Sequence, residues 1–361
     1  MFPYLFPYSL VLALFNFIFD KNIQYAIVFS NLFFDICGGM CLYFLLKKSN
    51  GCLKKGIFLW IFNPLSIVMC WLPLNIVLVN TALCLLLLEG IMLLNSLYLK
   101  SQRKYIFAGL TGITIFVANL FRPIFTVVLI ALIICIIGYQ LKENRKEIGA
   151  YIVGLILITT TLVPQVFLEN YIECKYKDDI LGSSGGWSFY VGSNYETSGK
   201  WSPEDRDYFF GPVISDTTSI SEAQSYIKEQ GIERYREMGV VKGINHFSNK
   251  LAVLFSDISN CSYDLKYTLN IKEDGGVWKI ISSGISAFFV IGALTSVCFW
   301  YKNSQERKLS ELFIGLCFLG FTAAFLIVEV MNRYSAIYFV IFIILMSLYK
   351  TERKMRKVKL K

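Results

Sequence analysis

Nine long apolar stretches decide what this chain can fold into: 24–46, 56–73, 76–98, 105–121, 123–141, 150–168, 280–301, 309–329 and 335–350. A helix needs roughly 18–20 such residues to cross the hydrocarbon of a bilayer. Backbone polar groups in lipid must be satisfied within the segment, so each stretch is expected to be a helix. A tenth stretch, 4–19, is shorter and holds Pro7, and it fits either a span or an interfacial helix. Charged residues make up only 17% of the chain, against about 25% in an ordinary soluble domain. The fold class expected is therefore an all-α polytopic membrane protein of about 9–10 transmembrane helices, with one small mixed α/β extracytoplasmic domain.

The basic residues orient the spans. The connections around Lys47 and Lys54, around Lys100 and Arg103, around Lys142 and Arg145, and around Lys302 and Arg307, together with the tail from Lys350, hold 20 of the 35 lysines and arginines. The alternate short connections hold only Lys21, Arg122 and Arg333. Basic loops stay cytoplasmic, so the C-terminus is expected inside and the long segment 169–279 outside, in a multi-pass protein of the cell (plasma) membrane. That segment carries 17 acidic and 12 basic residues, unlike the basic loops. The organisation is then a bundle at 1–168, an extracytoplasmic domain at 169–279, further spans at 280–350 and a basic tail at 351–361. The tail suits anionic headgroups, and nucleic acid is not an expected partner.

Within the outer segment, "GGWSFYVGSNYETSGKWSPEDRDYF" (185–209) has the Gly, Asn and Ser content of turns and short strands. Its aromatic residues suit either sugar stacking or the core of a small cap. "GINHFSNKLAVLFSD" has apolar residues at helical spacing and fits an amphipathic helix along the membrane surface. His246 is the chain's single histidine, which argues against a multi-histidine metal site or a Ser-His-Asp triad and suits a surface or helix-face residue. No phosphate-binding glycine loop is present, which argues against an ATP-driven pump. Asp35 and Glu89 fall inside spans, where an ionisable side chain is costly unless it is paired. Cys174 and Cys261 share the outer segment and are candidates for a disulfide in an oxidising compartment.

Two turns offer charge where spans should meet the outer surface. "NLFRPIF" places Arg122 in a tight outer turn, suited to a bidentate phosphate contact or to snorkelling towards headgroups. "EVMNRYSAIYF" places Glu329 and Arg333 one helical turn apart, as an ion pair or as the lining of a polar cavity.

In order, "FPYLFPYSLVLALFNFIF", "LFRPIF", the 185–209 stretch, "HFSNKLAVLFSD" and "EVMNRYSAIYF" resemble elements of the polyprenyl-phosphate-dependent glycosyltransferases of the GT-C type. Protein mannosyltransferases and the aminoarabinose transferase of lipid A belong to that group. The resemblance implies cell-envelope or protein glycosylation: a sugar passes, with inversion, from a polyprenyl-phosphate-sugar donor to a glycan, lipid or protein acceptor. It makes Arg122 and Arg333 donor-phosphate ligands, with Glu329, Asn332 and Tyr334 supporting them. It makes Trp187, Tyr190, Asn194, Trp201 and Asp205 an acceptor or lid surface. No metal ligand or certain cofactor follows from it, and a divalent cation is left open. Family members carry the catalytic Asp in an outer loop that precedes the Phe-Pro-Tyr segment. Here that segment begins at residue 2, so the loop would lie upstream of Met1 and Asp20 is poorly placed to replace it. The catalytic residue is thus unassigned, and little transferase activity is expected of a truncated chain alone. A polysaccharide polymerase of the O-antigen type and a transporter or flippase are the alternatives.

Overall fold

A computed structural model describes residues 5–142, 147–176, 184–255, 275–303 and 309–359. Among these residues the fold is entirely helical, with no strand. The bundle comprises α1 (Leu5–Ile18), α2 (Ile23–Lys48), α3 (Leu53–Ile61), α4 (Pro64–Met69), α5 (Ile76–Tyr98), α6 (Arg103–Phe121), α7 (Thr126–Lys142) and α8 (Ile148–Tyr176). The polar segment follows with α9 (Ser184–Gly192), α10 (Pro203–Tyr208), a π-helical turn (Phe209–Val213), α11 (Ile214–Asp216) and α12 (Ile220–Phe255), which is broken into two helical segments at Gly239, φ 65 and ψ 179. The chain then returns to the bundle through α13 (Gly275–Asn303), α14 (Leu309–Ile327), a 3-10 turn (Asn332–Tyr334) and α15 (Ser335–Lys359).

Among the described residues five helical stretches are long and apolar enough to cross a membrane: Ile23–Lys48, Ile76–Tyr98, Arg103–Phe121, Ile148–Ile172 and Leu309–Ile327. Shorter apolar helices lie at Pro7–Ile18, Thr126–Leu141, Ser283–Cys298 and Ser335–Leu348. The chain is a helical membrane protein. Helix α5 runs through the centre of the bundle, packed by α2 and α6, while α15 fills the core beside α13. The outer faces of α1, α2 and α8 present large apolar side chains such as Phe17, Phe33 and Phe167, as lipid-facing helices do.

The stretch 56–73 is not one helix. It breaks after Ile61, because a proline at 64 has no amide hydrogen to continue the ladder. The freed carbonyls at the far end of α4 are then met from α2. Asn31 Nδ2 donates to Leu72 O at 2.9 Å and lies 3.3 Å from Met69 O and Cys70 O. Tyr8 donates its hydroxyl to Asn31 Oδ1 at 3.2 Å, which ties α1 into the same node. Glu89 Oε1 accepts from Thr114 at 3.2 Å, so one of the two intramembrane carboxylates has its partner on α6.

The mixed α/β domain expected in the polar segment is corrected to a small helical cap. Asn194 to Trp201 do form turns, with Ser198 and Gly199 at φ 55 and 74, but helices flank them instead of strands. Ser202 caps α10 by accepting from the Asp205 amide at 3.1 Å, and Pro203 occupies the first turn. Helix α9 forms despite its glycines because packing outweighs propensity. Trp187, Tyr190 and Val191 bury against Phe209, Val213, Ala223 and Ile227. Cys174 is exposed, and Cys261 lies outside the described residues.

Candidate functional site

The end of α6 is held so that Arg122 points away from its own helix. Asn119 Oδ1 accepts from the Phe125 amide at 2.9 Å and Asn75 Nδ2 donates to Phe121 O at 2.7 Å, bracing the turn from both sides. Arg122 leaves α6 in an extended conformation, φ −159 and ψ 117. Its guanidinium lies over the Tyr334 ring, 4.0 Å from the centroid. Arg333 lies 6.0 Å from the same ring centroid. Two arginines from opposite ends of the sequence thus meet at one tyrosine. Among the described residues no carboxylate forms an ion pair with Arg122, so its planar fork of donors is available to an anion.

Glu329 belongs to this cluster. Burial raises its carboxyl above the ordinary range, and Arg333, Arg122 and Lys250 oppose that rise in turn. Burial likewise raises the Tyr334 phenol, so the ring is a neutral platform for the guanidiniums. The side chain of Asn332 lies outside those described.

The cap docks directly on this turn. The Glu329 amide donates to Ser188 O at 2.6 Å and the Val330 amide to Gly199 O at 2.9 Å. Gly192 sits against the end of α14, where a Cβ would come within 2.4 Å of the Val328 carbonyl carbon and 2.6 Å of Ile327 O. Gly192→Ala is expected to lift the cap and cost about 1–3 kcal/mol by overpacking, measured as a lower melting temperature in detergent.

The five residues expected to form an acceptor or lid surface differ in burial, with Asn194 intermediate. Trp187, Tyr190 and Asp205 are buried, and they build the core of the cap. Asp205 accepts from Arg234 at 3.0 Å and from Asn194 at 2.9 Å. Arg234 also stacks on the Tyr190 ring, 3.6 Å from its centroid, and hydrogen-bonds to the Tyr190 hydroxyl. Trp201 is the exposed one of the five, with the Arg206 guanidinium 5.8 Å from its ring.

Sequence reasoning missed Tyr235, Arg234 and Lys250, and it left His246 as a surface or helix-face residue; the second of these is what the fold shows. The histidine is fully buried, with Nε2 donating to Gly192 O at 2.9 Å. Burial lowers its pKa, with Lys250 adding to the effect and the Gly192 hydrogen bond opposing it. The available signal was the spacing of His246, Lys250 and Leu254, which puts all three on one helical face. Among the described residues no three or more His, Cys, Asp or Glu side chains gather as a metal site. No family model, no curated protein and no solved structure matches the chain.

Proposed function

We propose that this chain is an integral-membrane glycosyltransferase of the polyprenyl-phosphate-dependent kind, using Arg122 and Arg333 to hold the donor phosphate. The observation that carries the proposal is the approach of both arginines to the Tyr334 ring, with the Glu329 carboxyl within reach of their charge. Both were singled out from motifs far apart in the sequence, and both reach one site between the bundle and the cap. Two guanidiniums match a phosphate diester better than a single surface cation does, and they would stabilise charge on the departing phosphate.

In this reading the apolar helices make 9–10 spans of the plasma membrane. The capped end faces outside and the basic tail faces the cytoplasm, as the lysine and arginine bias requires. The donor is a polyprenyl-phosphate-linked sugar, and the acceptor is a glycan, lipid or protein approaching from the cap side. Glu329 orders the two arginines, and the group that activates the acceptor is unassigned.

The test is binding of a long-chain polyprenyl monophosphate to the protein in nanodiscs, alongside transfer of radiolabelled sugar from a matching donor. Saturable binding that competes with the donor supports the reading; binding equal to that of an apolar lipid control removes it. Tyr334→Leu is expected to weaken binding by about threefold to thirtyfold through loss of the cation–π platform, while Tyr334→Phe stays near wild type.

A transporter reading gains support from one feature, the break between α3 and α4, since discontinuous helices mark many transport sites. The α4 carbonyls already have Asn31 as their partner, which weakens it. Solute-coupled proton or sodium flux in proteoliposomes would favour it over transfer.

A further inference from the structure

The Gly192 carbonyl accepts from His246 and Lys250, and the Tyr235 hydroxyl lies between it and Ile327 O, the latter 2.9 Å away. Tyr235 Oη lies at 3.0 Å, His246 Nε2 at 2.9 Å and Lys250 Nζ at 2.8 Å. Lys250 Nζ also reaches Val328 O at 2.7 Å. The lysine is fully buried. A buried ammonium ordinarily sits on a carboxylate, yet both hydrogen-bond partners here are neutral carbonyls. The neutral amine has two N–H donors, and the site supplies two acceptors. A Cβ on Gly199 would lie 2.8 Å from Cε and 3.0 Å from Nζ, so the amine is enclosed on that side too.

Val328 O belongs to the same peptide unit as the Glu329 amide. That unit is gripped from both edges: its oxygen by Lys250 and its N–H by Ser188 O, both contacts coming from the cap. The next amide, of Val330, is held by Gly199 O. The cap therefore fixes the backbone that carries Glu329, whose carboxyl feels the charge of both arginines.

We propose that Lys250 is a positioning residue: its amine bridges the Gly192 and Val328 carbonyls, locks the peptide that carries Glu329, and so fixes where that carboxyl stands relative to Arg122 and Arg333. The functional consequence rests on the phosphate-site reading of those arginines, whereas the grip on the peptide does not.

The groups around the amine determine how the grip depends on pH. His246 faces it from its own helical segment, Tyr235 comes from the segment of α12 before the non-helical Gly239, Glu329 acts on it from the turn after α14, and Arg333, Tyr334 and Arg122 cluster beyond that glutamate. Tyr195 lies across His246, with ring centroids 6.1 Å apart. Burial pulls the Lys250 pKa down from 10.5 to about 7, opposed by Glu329. A lysine with a lowered pKa binds fewer protons when docked than when released. Docking therefore strengthens as pH rises from about 7 towards the ordinary lysine value, and is flat in this group below that window. His246, whose pKa lies below its ordinary 6.5, is silent above neutrality.

Residue-resolved hydrogen exchange in nanodiscs, normalised to each amide's chemical rate, tests the proposal. Lys250→Met keeps the length and removes both donors. The Glu329 and Val330 amides should then exchange about tenfold faster or more, the loss of one buried hydrogen bond. The Trp187 amide, bonded to Gln224 Oε1 at 2.8 Å, and the Asp205 amide report on the core of the cap and should keep wild-type protection. In the wild type, protection at 329 and 330 relative to 187 and 205 should rise between about pH 7 and about pH 9. The variant should lose that rise. The proposal is overturned if 329 and 330 stay protected in Lys250→Met, if all four amides open together, or if the pH slope persists. In parallel, Lys250→Met should bind a polyprenyl monophosphate about tenfold more weakly, and wild-type affinity in the variant with both amides open also overturns it. A wild type that does not bind the probe removes the phosphate reading alone, because the exchange measurement contains no ligand.

Discussion

Arg122→Ala should lower the affinity for a long-chain polyprenyl monophosphate by about tenfold to a hundredfold, the range of one charge-assisted hydrogen-bonded contact. Arg122→Lys should recover little of it. A lysine keeps the charge but loses the planar fork and the stack on Tyr334, which sets the angle of the guanidinium. The salt dependence separates this outcome from general headgroup attraction. A snorkelling arginine would contribute a weak effect that fades within ordinary ionic strength, whereas a partly buried contact is screened much less. Equilibrium binding in nanodiscs at low and at physiological salt gives both numbers. Equal affinities for wild type and Arg122→Ala at both salt levels would sink the phosphate assignment.

The largest loss of stability is expected from Arg234→Ala. Asp205 is buried and has the Arg234 guanidinium and the Asn194 amide as side-chain partners. Removing the arginine strands a carboxylate in the core of the cap, at a cost of about 3 kcal/mol or more. It also uncovers the Tyr190 ring. Trp187 lies in that core, 5.1 Å from Phe209, and the opening is expected to appear in its fluorescence and in proteolysis of the 185–209 segment. The double variant Arg234→Leu with Asp205→Asn should recover part of the loss, because it removes the unpaired charge. If Arg234→Ala leaves the cap resistant to protease, the buried network is not what holds it together.

Much of the bundle was legible because apolar length is a coarse signal that lipid enforces without exception. The boundaries of α5 and α6 follow from it almost to the residue. The break at Pro64 was visible as a residue but not as an event, since a proline inside an apolar run kinks or interrupts depending on neighbours. The short helix that follows the break ends on Asn31, a partner that lies on another helix. The strands expected near 185–209 failed for a related reason. Glycine and serine mark turns well, but the segments between the turns took their conformation from the partners of Trp187 and Val191, which are distant in sequence. Arg122 stood out because it is a lone cation in its turn. Lys250 did not, since nothing local distinguishes a buried lysine in an amphipathic helix from an exposed one.

The clasp between the cap and the Val328–Val330 turn also sets a schedule for biosynthesis. The cap has its own core, so it can fold once α12 has emerged. Its docking partners are made much later, after α13 and α14, which at ordinary translation speed is a delay on the order of ten seconds. Through that interval the Lys250 amine and the Ser188 and Gly199 carbonyls await the Val328–Val330 backbone that does not yet exist. A chaperone or a neighbouring chain that reaches the nascent protein in that interval meets the underside of the cap, which the finished molecule conceals.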